Sequence, residues 1–159
     1  TTAQESWHEE SWTTEGSVAE LRSFYAGFHP HARALLDACD SVLKTALYER
    51  DPLPHWSQGR VSLLGDASHP MMPFMAQGAG MAIEDAVELE KSLAMHDVDV
   101  ALCLRRYALN RWQRNARVQE RSRRNGQIFH ASGPLRWGRD AAMGVLGERL
   151  LDQPWLYRG

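Results

Sequence analysis

Residues 60–86 read RVSLLGDASHPMMPFMAQGAGMAIEDA, and this stretch holds the signals that decide the fold. Its short apolar run, VSLL, is rich in strand formers and predicts a β-strand. Asp66 follows the strand, and two prolines then stiffen the next turn because each fixes φ and lacks a backbone N–H. Gly78 and Gly80 open a segment with helical periodicity. The stretch therefore predicts, in order, a strand, a carboxylate, a rigid turn and a glycine-opened helix.

The segment after Gly80 has the periodicity of an amphipathic helix that continues to Met95. The apolar residues on one face are Ala82, Ala86, Leu89 and Leu93. The charged residues on another face are Glu84, Glu88 and Lys91. The separation of these two sets predicts a helix rather than a strand.

The glycine-rich start of this helix favours a ligand site. It offers several unpaired backbone N–H groups and the positive end of the helix dipole, and glycine lets a ligand approach the backbone. Asp66 is an acceptor suited to the hydroxyl groups of a sugar or polyol. Alternatively, Asp66 serves only as a turn or capping residue and the glycines serve only tight turns. The occurrence of both features in order, with two prolines between them, favours the ligand site.

The stretch resembles the second flavin-binding motif of the class A, single-component FAD-dependent aromatic hydroxylases. This family includes salicylate, 3-hydroxybenzoate and 6-hydroxynicotinate hydroxylases. Its pattern of Gly-Asp-Ala-x-His-Pro, a second proline, Gln-Gly-Ala and Glu-Asp-Ala is matched at residues 65–70, Pro73, 77–79 and 84–86. The resemblance continues to Tyr107, to RVQERSRRNG at residues 117–126 and to the aromatic tail at residues 155–157.

The resemblance implies an α/β fold of the FAD/NAD(P)-binding, Rossmann-like type with a substrate domain, of which this chain is a mostly helical part with a few strands. Residues 1–55 are then the end of the substrate-binding domain. Residues 56–159 are the C-terminal part of the FAD-binding domain with its C-terminal helices. The Gly-x-Gly-x-x-Gly motif that binds the ADP half of FAD does not occur in the chain. We therefore expect the chain to be the C-terminal portion of a longer enzyme, inactive without the N-terminal FAD-binding portion.

The resemblance also assigns roles to individual residues. Asp66 matches the aspartate that binds the ribityl chain, Gly65 allows close approach, and Pro73 matches the proline beside the flavin ring. In the family, the start of a helix faces the pyrimidine edge of the flavin. The residues of this chain that match it are Gln77, Gly78, Ala79, Gly80 and Met81.

His69 is the candidate catalytic residue, as a contact of flavin or substrate, with a hydrogen bond to the turn as the alternative. Phe74 stands where some relatives have a polar residue and suggests an apolar wall. Met71, Met72 and Met75 line the mouth of the active site in one interpretation and fill the core in the other.

The function implied is that of a monooxygenase that uses FAD, NAD(P)H and O2 to hydroxylate a small aromatic compound. One alternative is an FAD-dependent oxidase or epoxidase acting on a non-aromatic substrate. The other is a non-enzymatic helical interaction domain that docks through its arginine-rich helix. A homodimer is compatible with all three.

The composition excludes several classes of protein. The net charge is −2, and no apolar window approaches the length of a transmembrane helix. The polar, acidic N-terminus is no signal peptide, and Cys39 and Cys103 have no metal-ligand spacing, which favours a reducing, cytoplasmic compartment. His29 and His31 have no third partner at metal spacing, so no metal site is expected.

The remaining segments are predicted from caps and periodicity. Ser17 and Glu20 form a capping box that starts a helix, which Pro30 interrupts. Further predictions are a helix at residues 32–39, a strand at 43–50, a loop at 51–54, and helices at 100–127 and 138–151.

The helix at residues 100–127 carries eight arginines against a single acid, Glu120. Nucleic-acid binding is disfavoured because the overall charge balance is acidic and no groove-reading motif occurs. We expect these arginines to pair with acids elsewhere, to cover apolar surface or to line a subunit contact.

Overall fold

The computed structural model describes residues 11–147 and 154–157. The chain divides into two compact units, Thr1–Leu47 and Tyr48–Gly159. The elements of the first unit are α1 (Val18–Phe24) and α2 (Pro30–Asp37). Those of the second are β1 (Ser57–Gln58), β2 (Val61–Ser62), α3 (Gly78–Leu93), α4 (Val100–Phe129), α5 (Gly133–Leu146) and α6 (Pro154–Tyr157). The predicted division at residues 55 and 56 stays a prediction.

The first unit confirms the predicted helix start and corrects the predicted strand. The Ser17 hydroxyl accepts a hydrogen bond from the Glu20 N–H at 3.2 Å, as expected for the cap. At residues 43–50, however, only Leu43 makes a β-bridge, to Glu15. Strand formers such as Leu47 and Tyr48 lack a neighbouring ladder in the described residues, and strand propensity without a partner makes no strand.

The second unit begins with a short antiparallel hairpin. Ser57 pairs with Ser62 and Gln58 with Val61, across a turn in which Gly59 has a φ of +56°. The predicted strand after Arg60 is thus confirmed, although its ladder includes only Val61 and Ser62. The described part of the chain is mostly helical with two strands, as the resemblance implies.

Helix α4 is the scaffold of the second unit. It spans 30 residues, which corresponds to a length of about 45 Å. Two apolar clusters lie along it. One contains Trp56, Tyr107 and Ala108, and the other contains Met81, Val118 and Leu156. The apolar face of α4 includes the buried residues Leu104, Tyr107 and Ala108.

Helix α5 begins earlier than predicted. Gly133 has a φ of +56°, and Pro134 fits the first turn because a helix needs no N–H donor there. The helix ends before Gly147, at a φ of +51°, and residues 148–151 of the predicted helix lie outside the described residues. Arg139 donates to the carbonyls of Ile128 and Phe129 at 3.2 and 2.9 Å, which satisfies the C-terminus of α4.

Neither a membrane-spanning helix nor a group of three potential metal ligands occurs in residues 11–147 and 154–157.

Candidate functional site

Gly65 starts the turn that follows the hairpin, and its geometry requires glycine. Its φ is +60°, and its carbonyl accepts hydrogen bonds from the Ser68 and His69 N–H groups at 2.9 and 3.0 Å. A Cβ at this position would lie 3.3 Å from the Cβ of Ala82 in α3. The close approach seen at Gly65 is therefore the packing of the turn on α3, and its predicted approach to flavin stays a prediction.

Asp66 presents a free carboxylate beside the start of α3. The residue is exposed, and its side chain makes no hydrogen bond to any residue that the structure describes. Its Oδ1 lies 4.0 Å from the position that a Cβ would take on Gly78. Since α3 has no side-chain cap, the capping alternative for Asp66 receives no support from the described residues.

The first turn of α3 leaves three backbone donors open. The first intrahelical bond runs from the Met81 N–H to the Gln77 carbonyl at 2.9 Å. The N–H groups of Gly78, Ala79 and Gly80 have no partner among residues 11–147 and 154–157. Together with the helix dipole, these donors form a site for an anionic or electron-rich edge. Met81 is different, because its N–H is already bonded and its side chain is buried.

The turn between Asp66 and α3 ends in a left-handed residue. Pro73–Met75 form a 3-10 turn, and Ala76 follows at φ 52° and ψ 34°. Non-glycine residues adopt this conformation only when their surroundings impose it. Ala76 thereby redirects the chain from the exposed Pro73 into the glycine-opened helix.

A buried carboxylate lies one helical turn beyond the open donors. Asp85 is 0% exposed. Its Oδ1 accepts hydrogen bonds from Arg111 Nε at 2.8 Å and Asn115 Nδ2 at 2.9 Å. Its Oδ2 lies 2.5 Å from His69 Nε2 and 3.3 Å from the Gly65 N. Burial alone would raise the pKa of Asp85, but the hydrogen bonds from His69, Arg111 and Asn115 outweigh it and hold the pKa below its usual range.

His69, the predicted catalytic residue, lies in the interior of the second unit. Its ring is fully buried, 5.4 Å from the Trp56 ring, and Nε2 pairs with Asp85. Its Nδ1 has no hydrogen-bond partner within the described part of the chain. The ring thus bonds α3 rather than the turn itself, and contact with flavin or substrate stays a prediction.

Glu84 joins α3 to α4 on the neighbouring side of the helix. Arg114 makes a bidentate contact with Glu84, donating from Nε to Oε2 at 2.7 Å and from Nη2 to Oε1 at 2.9 Å. Arg111 Nη1 also donates to Oε2, at 2.8 Å. Arg114 Nη2 also donates to the Leu156 carbonyl at 2.7 Å. The hydrogen bond from Arg114 holds the pKa of Glu84 below its ordinary value, against the opposing effect of burial.

The arginine-rich helix therefore serves in part as a set of ion-pair partners, as expected. Arg111 and Arg114 bind the acids of α3, and Arg123 binds Glu49 and Asp51 at 2.9 and 3.2 Å. Sequence reasoning missed the burial of Asp85, although its position four residues after Met81 puts both on one helical face.

The residues of the helix start fit the ribityl chain and ring edge of a flavin. Asp66 supplies an acceptor without a partner in the described residues, and residues 78–80 supply donors at a positive helix end. By contrast, Phe74 packs beside Phe129 at a centroid distance of 6.0 Å, and Met71 and Met75 pack against the second apolar cluster. The core alternative is thus supported for these two methionines.

Comparison with known proteins identifies the family of the chain. The FAD binding domain family matches residues 40–125, and the chain belongs to that family. The 3-hydroxybenzoate 6-hydroxylase of Polaromonas naphthalenivorans is 42% identical over 93% of this chain and 38% of its own length. The 6-hydroxynicotinate 3-monooxygenase of Bordetella bronchiseptica is 51% identical over 72% of this chain and 30% of its own.

The fold is likewise similar to that of solved flavoproteins. A salicylate hydroxylase substrate complex superposes with a TM-score of 0.79 and 28% identity, covering 100% of this chain and 39% of that one. Klebsiella pneumoniae HpxO complexed with FAD and uric acid superposes with a TM-score of 0.72 and 29% identity, covering 84% of this chain and 35% of that one. The resemblance to flavoprotein hydroxylases is confirmed, and the chain spans well under half the length of these proteins.

Proposed function

We propose that this chain holds the ribityl chain and isoalloxazine ring of FAD in a monooxygenase that hydroxylates a small aromatic compound with NAD(P)H and O2. The observation that carries the proposal is the open first turn of α3 beside the free carboxylate of Asp66. Bound FAD supplies the redox and oxygen chemistry. The names of the relatives, hydroxylases of benzoates and a monooxygenase of 6-hydroxynicotinate, support an aromatic substrate.

The proposed roles follow from charge and hydrogen-bond capacity. Asp66 accepts a hydrogen bond from a ribityl hydroxyl, and Pro73 packs beside the ring. The N–H groups of residues 78–80 donate to the pyrimidine edge, and the helix dipole stabilises the negative charge that develops there on reduction. The buried Asp85 network holds the turn and the helix start against α4.

Two alternatives differ in what they require of the purified protein. An FAD-dependent oxidase or epoxidase would be yellow but would not couple NAD(P)H oxidation to hydroxylation of an aromatic ring. A helical interaction domain would be colourless and would dock through its arginines. The pairing of Arg111, Arg114 and Arg123 with acids of the same unit favours the enzymes over the docking domain.

We further propose that a dinucleotide-binding portion works with this chain, that the assembled protein is cytoplasmic and that it forms a homodimer. The two unpaired cysteines support a reducing compartment. Size-exclusion chromatography with light scattering tests the oligomeric state, and a monomer would contradict the dimer.

The test of the function begins with the 159-residue chain, whose helical content is first checked by circular dichroism. Titration calorimetry should show weak FAD binding or none, since the ADP half has no site among the motifs of the chain. Submicromolar affinity would contradict the need for a second portion. With that portion present, the protein should be yellow and should oxidise NAD(P)H faster when a hydroxybenzoate is added. A colourless protein would contradict the proposed function.

A further inference from the structure

The second half of α4 donates a row of side-chain hydrogen bonds to the turn that precedes α3. Gln119 Nε2 donates to the Pro70 carbonyl at 2.9 Å, and the Ser122 hydroxyl donates to the Met72 carbonyl. Asn125 Nδ2 donates to the Phe74 carbonyl at 3.2 Å. Residues 119, 122 and 125 recur at intervals of three, which places them along one side of the helix.

The turn needs these donors because it has few of its own. Pro70 and Pro73 carry no N–H, and the backbone bond from Ala76 N–H to the Pro73 carbonyl is the only one found within the turn among the described residues. Buried carbonyls without partners are unfavourable, and the donors on α4 are themselves buried at Gln119 and Ser122. The side chains of α4 thus replace the hydrogen bonds that the prolines remove.

Gly126 fixes where the turn lies along α4. A Cβ on this glycine would lie 2.6 Å from Cδ2 and Cε2 of Phe74, which is closer than any side chain tolerates. The Phe74 ring also contacts His130, with ring centroids 5.4 Å apart. Because Gly126 has no side chain, the Phe74 ring can pack against α4 there. This contact fixes the position of the turn along the helix.

We propose that Gln119, Ser122 and Asn125 are positioning residues for flavin, with Gly126 as the residue that sets their register. They hold residues 70–74, and these lead through the left-handed Ala76 into the open N–H groups of α3. The inference rests on the proposed function, and it gives the segment RVQERSRRNG a role: α4 sets the position of the donors that meet the flavin.

The first test removes two of the three donors and leaves the packing. Gln119→Met and Ser122→Ala, combined, are compared with Arg124→Ala, an exposed residue of the same helix without a hydrogen bond or ion pair in the described structure. The protein used contains the dinucleotide-binding portion. We expect faster amide exchange at residues 71, 72 and 74–76, about tenfold weaker FAD binding, and a shifted flavin midpoint potential at full occupancy. The control should change none of these.

The second test uses the contact at Gly126. Gly126→Ala should weaken FAD binding, and Phe74→Leu in the same protein should restore it by making room for the methyl group. Gly144→Ala in α5 is the matched control, because nothing lies within 4 Å of its Cβ position and it reports the gain in helix propensity alone.

Three results separate this inference from the function on which it rests. Absence of FAD binding in the unchanged protein would contradict the proposed function. FAD binding with equal affinity, equal potential and equal amide exchange in all variants would contradict the positioning role alone. A loss of thermal stability without any change in the flavin midpoint potential, measured at full FAD occupancy, would show that these residues only stabilise the fold. That result would likewise overturn the inference.

Discussion

The first and second turns of α3 are opposites in hydrogen bonding. In the first turn, the N–H groups of residues 78–80 have no partner in the described part of the protein, although open donors are normally capped. In the second turn, the Asp85 carboxylate has four donors and no exposure. The first turn thus keeps its backbone donors available for a ligand. The carboxylate of the second turn is fully hydrogen-bonded within the protein.

The difference shows how a rigid helix presents a free end. Arg111 and Arg114 anchor α3 to α4 through Glu84 and Asp85, so the first turn needs no cap to hold its place. We therefore expect stability to depend on the second turn, whose carboxylates are fully hydrogen-bonded (the saturated turn), and the proposed flavin binding to depend on the first turn, whose N–H groups are open (the open turn). Substitutions in the two turns should therefore have different effects.

Removing Arg111, the cation on α4 that pairs with the saturated turn, should have the largest effect. Arg111→Met leaves the Asp85 charge buried without its ion-pair partner, and we expect the free energy of unfolding to fall by about 3–5 kcal/mol. Urea unfolding followed by circular dichroism measures the change. Arg124→Met is the control, since Arg124 is exposed on the same helix and should change stability by about 0.5 kcal/mol or less. Equal effects of the two substitutions would contradict the anchoring role of Arg111.

Acid should weaken the same turn. Asp85 and Glu84 have pKa values below their ordinary 3.8 and 4.5, so the folded state binds fewer protons than the unfolded state in this range. Their contribution is fully present above the ordinary pKa values and is lost as the pH falls through the folded ones. Stability should therefore decline below about pH 4.

The control for this acid response is Asp85→Asn, which cannot titrate. This variant should be less stable at neutral pH and should lose less stability between neutral pH and about pH 3 than the unchanged protein. Parallel pH curves for the two proteins would contradict the assignment of the acid response to Asp85.

A smaller effect is expected from removing one donor of the open turn. Gly80→Pro deletes an N–H that has no partner in the described structure, and proline is tolerated in a first helical turn. Gly80→Ala keeps the donor, and its methyl group would lie 3.4 Å from Gln77 Oε1, which can move. If the donor stabilises reduced flavin by about 1 kcal/mol, the midpoint potential of the proline variant should be lower by about 20 mV.

The comparison requires both Gly80 variants to be folded and loaded with flavin to the same extent. Equal potentials under those conditions would show that this N–H does not tune the flavin, and the glycine would be explained by backbone geometry.

The open turn was predictable from sequence, and the saturated turn was not. The glycines, the prolines and Asp66 are local signals within a short stretch, and they act through backbone geometry that a sequence shows directly. Asp85 was not recognised as an interior residue because its partners His69 and Arg111 lie 16 and 26 residues away along the chain. Leu93 shows the opposite error, because helical periodicity placed it on the apolar face of α3 and yet it is 47% exposed.

The errors elsewhere have the same origin. The strand predicted at residues 43–50 depends on a ladder partner that propensity does not reveal, and only Leu43 has one in the described residues. Helix α5 was predicted to begin at residue 138, whereas Gly133 and Pro134 form its first turn. The row of donors at Gln119, Ser122 and Asn125 likewise depends on contacts between residues far apart in the chain, although helical spacing put them on one side of α4.

The most direct measurement is the FAD affinity of Asp66→Ala in the protein that includes the dinucleotide-binding portion, with Asp66→Asn as a neutral control of similar size. If the carboxylate accepts a charge-assisted hydrogen bond from a flavin hydroxyl, worth about 1.5–3 kcal/mol, the dissociation constant should rise by about ten- to hundredfold. The thermal stability of the apo-protein should stay the same, because Asp66 is exposed and its side chain binds nothing else in the described structure. Unchanged FAD affinity with a lower melting temperature would make Asp66 a turn residue and would contradict the account.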